Sequence, residues 1–279
     1  MTISPVIKKD YLNQLASDGK RADGRKMNEY RPIVIETDII GKAEGSARVT
    51  IGNTQVVAGI KMAIGTPYPD TPNQGVMSTA AELIPLASPD FEAGPPRENA
   101  IEISRVVDRG IRESDVIKFD ELCIIPGEKI WLCFIDIHII DYDGNLFDAS
   151  SLAALAALLT TKVPIEQHRE SLEPLIEKFP DIQTYLDTHQ NDYPLPVREP
   201  PISCTFAKFN NTIVVDPALD EEEIADVRLT VATDEKGDIR AMQKGLNGSF
   251  SVEEIKNIIK EAVINGKELR IKLKESIGR

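Results

Sequence analysis

The stretch KIWLCFIDIHIIDYDGNLFDASSLAALAALLTTK, residues 129–162, decides how the rest of the chain is read. Its first part is β-branched and aromatic. Polar Asp136 and His138 alternate with Ile135, Ile137 and Ile139, the period-two pattern of a strand. Asp143, Gly144 and Asn145 supply a turn. Asp148 then stands where an N-cap is expected, ahead of a run so rich in Ala and Leu that it reads as a buried helix. Small Ala side chains let such a helix lie close against a sheet. A turn that feeds a helix N-terminus can bind an anion, because unpaired N–H groups and the helix dipole point there. This one argues against it: Leu146 and Phe147 bring no side-chain donors, and Asp148 brings a negative charge.

On the N-terminal side, Ser4 and Pro5 read as a cap and first residue of a helix carrying Ile7, Tyr11, Leu12 and Leu15, which Gly19 ends. A charged turn, residues 20–25, follows. Residues 31–40 and 45–62 read as three strands, with Gly52 and Asn53 in the hairpin between the last two. Two proline-bearing loops, 65–75 and 85–97, bracket a strand at 76–83, and loops of that length are usually functional or interfacial. Residues 99–114 form a helix. Ile103, Val106, Val107, Gly110 and Ile111 share one face, and rotation by 100° per residue gathers Arg105, Arg109 and Arg112 on the opposite one.

On the C-terminal side, residues 163–201 read as a connector of short helical pieces and prolines. The domain boundary is placed within it, giving units 1–190 and 191–279. The second unit begins with a hairpin, 202–209 and 212–215. An acidic turn at 216–226 and strands at 227–233 and 239–244 follow. A closing helix is announced by the capping box of Ser251 and Glu254. Both halves put strands first and a covering helix after, so the fold class is α+β, two β-α units each with a mixed sheet.

The chain has 279 residues, 42% hydrophobic and 28% charged, the balance of an ordinary globular protein. No apolar run approaches the about 18 residues of a membrane span, and the N-terminus has no signal-peptide core. Cys123, Cys133 and Cys204 match no metal spacing and read as reduced, buried thiols, which points to a cytoplasmic protein. No metal or cofactor is expected. The net charge of −13 argues against a protein that coats nucleic acid, so any such contact needs local basic residues or a partner that supplies them.

Six segments, in order, carry a resemblance. They are Arg21-Ala22-Asp23-Gly24-Arg25, the run from Gly45 to Thr54, the run from Asp70 to Gly75, the run from Glu102 to Arg109, the run from Asp141 to Asn145, and the Ala/Leu helix behind it. Together they resemble the ribonuclease PH family over nearly the whole chain, and within it the non-catalytic branch found in archaeal exosomes. The resemblance implies a ribonuclease PH-like fold whose first unit is similar to ribosomal S5 domain 2. It also implies a hexameric ring of three heterodimers with a catalytic ribonuclease PH-like subunit. Single-stranded RNA would thread the ring, and S1/KH or zinc-ribbon proteins would cap it. The ring would degrade RNA from its 3′ end by phosphorolysis.

Active members hold phosphate at a Gly-Gly-Thr/Ser-Arg turn. Here Asn145, Leu146 and Phe147 stand in its place, followed by Asp148. Active members also need paired carboxylates, and only Asp226 has a loose counterpart. The plain reading of residues 216–226 is a solvated acidic turn, so no catalytic residue is assigned. From spacing alone, the arginine face is either a phosphate contact or a solvated face paired with Glu102, Asp108 and Glu113. The resemblance favours RNA binding by Arg105, Arg109 and Arg112, with Arg97 a further candidate. Arg21 and Arg25 read first as salt bridges that hold their turn, and Trp131 as core. The expected function is a non-catalytic, RNA-binding ring subunit. The alternatives are an active phosphorolytic 3′→5′ exoribonuclease working through Asp226, and a scaffold that never touches RNA.

Overall fold

The computed structural model describes residues 5–278, so the cap expected at Ser4 lies outside the described residues. Helix α1 (Pro5–Ser17) leads into the first sheet. That sheet is built from β1 (Ile33–Thr37), β2 (Gly45–Ile51), β3 (Thr54–Gly65) and β4 (Val76–Leu83). Helix α2 (Glu98–Arg112) comes next, then β5 (Cys123–Ile125) and β6 (Lys129–Asp141). The strand order is β1-β2-β3-β6-β4, with β5 on β6. Strand β4 runs parallel to β6, and α2 supplies the crossover that a parallel pair requires. Along β6 the side chains of Trp131, Cys133, Ile135, Ile137 and Ile139 are buried, while Asp136 faces solvent, as the alternation predicts.

Helix α3 (Leu146–Thr160) follows. It is apolar all round, and every residue from Leu146 to Leu158 is buried. It lies between two sheets, packing on β2 and β3 with one side and on the second unit with the other. The connector pairs β7 (Lys162–Val163) with β8 (Tyr193–Pro194) around α4 (Ile165–Leu172) and α5 (Asp181–Thr188). The second sheet contains β9 (Ile202–Phe209) and β10 (Thr212–Val215), then, after α6 (Leu219–Ile224), β11 (Val227–Thr233) and β12 (Ile239–Gly245). Helix α7 (Val252–Ser276) covers it, opened by the reciprocal Ser251–Glu254 box. The order β10-β9-β11-β12 is antiparallel throughout, which corrects the expected mixed sheet in this unit. Short turns join β9 to β10 and β11 to β12, and no helix crosses over to set a parallel neighbour.

A buried polar network ties the two units together at the head of α3. Its centre is Asp216, a residue of the second unit with no exposed surface. Arg31 donates to both of its carboxylate oxygens, through Nε at 2.9 Å and Nη2 at 2.8 Å. Arg25 Nη1 adds a bond at 2.9 Å and Asn145 Nδ2 another at 2.7 Å. Arg21 grips Glu221 with Nε and Nη2. Residues 216–226 are therefore not a solvated turn. They contain α6, and Asp216 and Glu221 are buried because arginines from residues 21–31 neutralise them. Arg21 and Arg25 do hold structure: Arg25 pairs with Asp23 in its own turn at 2.7 Å, as expected, and both arginines also reach across to the second unit.

Asp148 belongs to the same network and is not the helix cap. Asn145, at φ 55°, is the N-cap, and its side-chain oxygen accepts from the Asp148 N–H. The Asp148 carboxylate turns inward and accepts from Tyr30 Oη (2.7 Å), Asn145 Nδ2 (2.9 Å), Thr205 N (2.9 Å) and Thr205 Oγ1 (2.7 Å). Gly144, at φ 91°, lies against the backbone of residues 217–219; a Cβ there would come within 2.5 Å of Pro217 O. Only glycine meets both conditions.

Removing one partner of a buried ion pair strands the other. Asp216→Ala leaves Arg31 with only a loose contact to Asp143, at 3.8 Å, and costs about 3–5 kcal/mol, measurable by urea unfolding. The sign at Asp148 is opposite. Burial pushes its carboxyl up to about 6, against four donors that pull it down. The folded state therefore binds the proton more tightly than the unfolded chain, and this group's stabilising contribution falls as pH rises from the ordinary carboxylate range through about 6. The stability cost of Asp148→Asn is accordingly larger at pH 5 than at pH 7.5, by about 1 kcal/mol. Parallel stability curves for the two proteins would contradict this.

Candidate functional site

Two surfaces are candidates. The first is the cleft at the head of α3. Its walls include Phe91, Tyr142, Leu146, Phe147, Glu102 and Arg228, around a cavity of about 210 Å³. The backbone N–H of the N-cap, at the head of the helix, is taken by one of the protein's own carboxylates. Glu222, from α6, accepts from Asn145 N at 2.9 Å and from Tyr142 Oη at 2.8 Å. Burial raises the Glu222 carboxyl above its ordinary range, against the bonds from Asn145 and Tyr142. Arg228, the one arginine lining this cleft, is already engaged by two other groups of its wall. It donates to Glu102 at 2.6 Å and stacks over the Phe147 ring, 3.9 Å from guanidinium carbon to ring centroid. Phe91 and Tyr142 stack beside it, with centroids 5.3 Å apart.

The negative charge expected at this turn is thus present, but it comes from Glu222 and not from Asp148, whose carboxylate is buried in the opposite direction. A second anion here would meet Glu222 directly. At about 4 Å that repulsion is several kcal/mol at an effective dielectric of 20. Asp226 is exposed at the start of β11, and its nearest cation is Lys9, at 3.9 Å. Asp226 does not line the cleft, and among the described residues no group of three or more metal-ligating side chains occurs.

The second surface is the arginine face of α2. Ile103, Val107, Gly110 and Ile111 bury the opposite side of the helix, and this fixes its rotation. Arg105, Arg109 and Arg112 are exposed and line one open groove of about 430 Å³, together with Met77, Thr79 and Asp108. Arg112 is committed: its Nε and Nη2 donate to Asp108 at 2.9 and 2.8 Å, and Nη2 also reaches Met77 O at 3.1 Å. Arg109 donates to neutral Gln243 at 3.0 Å. Among the described residues, neither Arg105 nor Arg109 has a carboxylate within 4.0 Å. Of the partners suggested by spacing, Glu102 pairs with Arg228 and only Asp108 serves the arginine face. Arg97 stands apart, in the proline-rich loop, paired with Glu92.

The plug formed by Glu222 was not legible in the chain. It lies 77 residues from Asn145, and only the docking of the two units brings them together. Trp131 is core, with its indole N–H on Tyr185 Oη at 2.8 Å, and His138 lies on the far face of the sheet beside Glu82.

The 3′ exoribonuclease family matches with its domain 1 over residues 29–164 and its domain 2 over residues 199–265. A relative from Thermococcus gammatolerans, named exosome complex component Rrp42, is 50% identical over 272 residues, 98% of this chain and 96% of its own. A chain in the solved Archaeoglobus fulgidus exosome with RNA bound to the active site superposes with a TM-score of 0.88. It is 45% identical, and the match covers 98% of this chain and 100% of that one. A chain of an archaeal exosome core gives 0.83 at 41% identity, covering 97% of each. No helix among the described residues is long and apolar enough to cross a membrane. The protein belongs to the 3′ exoribonuclease family, with both of its domains and the ribonuclease PH-like fold.

Proposed function

We propose that this chain is a non-catalytic ring subunit of an archaeal-type RNA exosome. It would hold single-stranded RNA beside the active site of a homologous catalytic subunit. The observation that carries the reading is the exchange of roles between the two surfaces. The helix end where family members bind phosphate is plugged by Glu222 and walled by Leu146 and Phe147. The arginine groove on α2 keeps Arg105 and Arg109 exposed and without carboxylate partners. A guanidinium in that state is ready for bidentate contact with phosphate oxygens, in a protein whose overall charge would otherwise repel RNA. The relatives named above, at 41–50% identity over nearly their full length, support membership of an exosome that works on RNA. The proposed assembly is a hexamer of three heterodimers, capped by S1/KH or zinc-ribbon proteins, in the cytoplasm.

The decisive assay mixes the purified chain with a 3′-tailed RNA and inorganic phosphate, with and without the catalytic subunit. The expected outcome is no release of nucleoside diphosphates by this chain alone and release by the mixture. Phosphate-dependent release by the chain alone would establish it as an active exoribonuclease and overturn the reading of Glu222 as a plug.

In the assembled ring, Arg105→Glu with Arg109→Glu should weaken RNA binding by about 10–100-fold at low salt and reduce the salt slope by about 2. Arg112→Ala should cost less than about threefold, because Asp108 already competes for that guanidinium. Unchanged affinity in an intact ring would leave the subunit a scaffold.

A further inference from the structure

Arg270 sits on α7, remote in sequence from the groove and the cleft, and only 6% of it is exposed. A guanidinium offers five donors. Here Nη2 bonds Thr233 O at 2.8 Å, Nη1 bonds Gly266 O at 3.4 Å, and Nε is buried with no acceptor. Every acceptor it does have is a neutral carbonyl. Among the described residues no carboxylate lies within 4.0 Å of it, in contrast to Arg21 and Arg31, the other buried arginines, which are each paired with an acid. Burial pulls this guanidinium's affinity for its proton down, and Glu199, Asp234 and Glu235 only partly offset that. A buried charge without a counter-ion is costly, and a fold keeps one where something neutralises it.

Beside Arg270 lies a cavity of about 170 Å³, between the segment 197–200 and α7. Arg198, Glu199, Lys274, Leu159 and Pro200 line it with Arg270. Among the described residues the only carboxylate on its wall is Glu199, held by Lys274 at 2.8 Å. Arg198 is left with a loose contact to Asp115, at 3.8 Å, and both side chains are more than half exposed. Arg198, Lys274 and Arg270 therefore line one space with, among the described residues, one carboxylate, and of the three only Arg270 has no acid within 4.0 Å.

We infer that this cavity is an oxyanion site that takes a phosphate group, with Arg270 as its buried anchor and Arg198 and Lys274 as its mobile rim. Two sources share that chemistry: free inorganic phosphate and the phosphate of an RNA backbone. The site is independent of the α2 groove and of the plugged cleft, so it stands whether or not the proposed function does.

Equilibrium dialysis of the full-length chain against radiolabelled inorganic phosphate, at constant ionic strength, tests it. Saturable binding is expected. Arg198→Ala combined with Lys274→Ala should raise the half-saturating concentration at least about tenfold, the loss expected for charge-assisted contacts. Arg105→Glu with Arg109→Glu should leave it unchanged. Arg270→Lys, which keeps the charge but loses the fork, should bind more weakly than wild type. If that variant fails to fold, the rim variants decide alone. A short single-stranded RNA added as competitor separates the sources. Displacement assigns the site to backbone phosphate, and saturable phosphate binding that RNA does not displace assigns it to free phosphate. Absence of saturable binding, or binding indifferent to the Arg198 and Lys274 changes, overturns the inference.

Discussion

The rest of the structure depends on the neutralisation of one buried carboxylate, Asp216. Arg31 and Arg25 come to it from the N-terminal segment, and Asn145 from the head of α3. It therefore links three parts of the chain that are distant in sequence. Burial alone would drive this carboxyl up, but the Arg31 guanidinium bonded to it outweighs that and holds it below the ordinary range. The Asn145 amide then passes a second hydrogen to Asp148, whose other partners are Tyr30 and Thr205. Every donor in this chain of bonds is answered, and that makes so much buried polarity tolerable. The network also sets the separation of the two units to within a hydrogen bond, and α3 can lie between two sheets only because its head is pinned on both sides.

That pinning has a chemical consequence. The strand-turn-helix unit is the part of the fold that can present backbone N–H groups to phosphate. Here the same docking that satisfies Asp216 brings α6 across the helix end and delivers Glu222 to the Asn145 N–H. The anion site is filled from within, by a group that costs no association entropy. The α2 groove has the opposite character. Its arginines are held in place by an apolar stripe on the far side of the helix, and Arg105 and Arg109 are not consumed by internal acids. One scaffold thus places an internal carboxylate at the head of α3 and leaves an arginine groove exposed on α2.

Much of this was legible locally. The strands at Val76–Leu83, Ile202–Phe209, Thr212–Val215 and Val227–Thr233 fall where alternation and turn residues place them. The arginine face of α2 follows from helical rotation, which needs no knowledge of what the helix packs against. The N-cap of α3 was misplaced by three residues because Asp and Asn are both good caps. The choice fell to Asn145 when Thr205 and Tyr30 took the Asp148 carboxylate. The acidic segment 216–226 was misread for a related reason. Composition counts its charges, but it does not reveal that arginines about 190 residues away neutralise two of them.

The sequence by itself determined the elements, their order, the buried character of α3 and the arginine face of α2. Each of those depends on periodicity within a few turns of chain. The tertiary structure alone decided which charges are internal and which are free. Asp148, Asp216, Glu221 and Glu222 became structural, whereas Arg105, Arg109 and Arg270 have no acid within 4.0 Å among the described residues. Pairing of charges is a matter of ångströms across the fold, and no local pattern encodes a distance between residues 145 and 222.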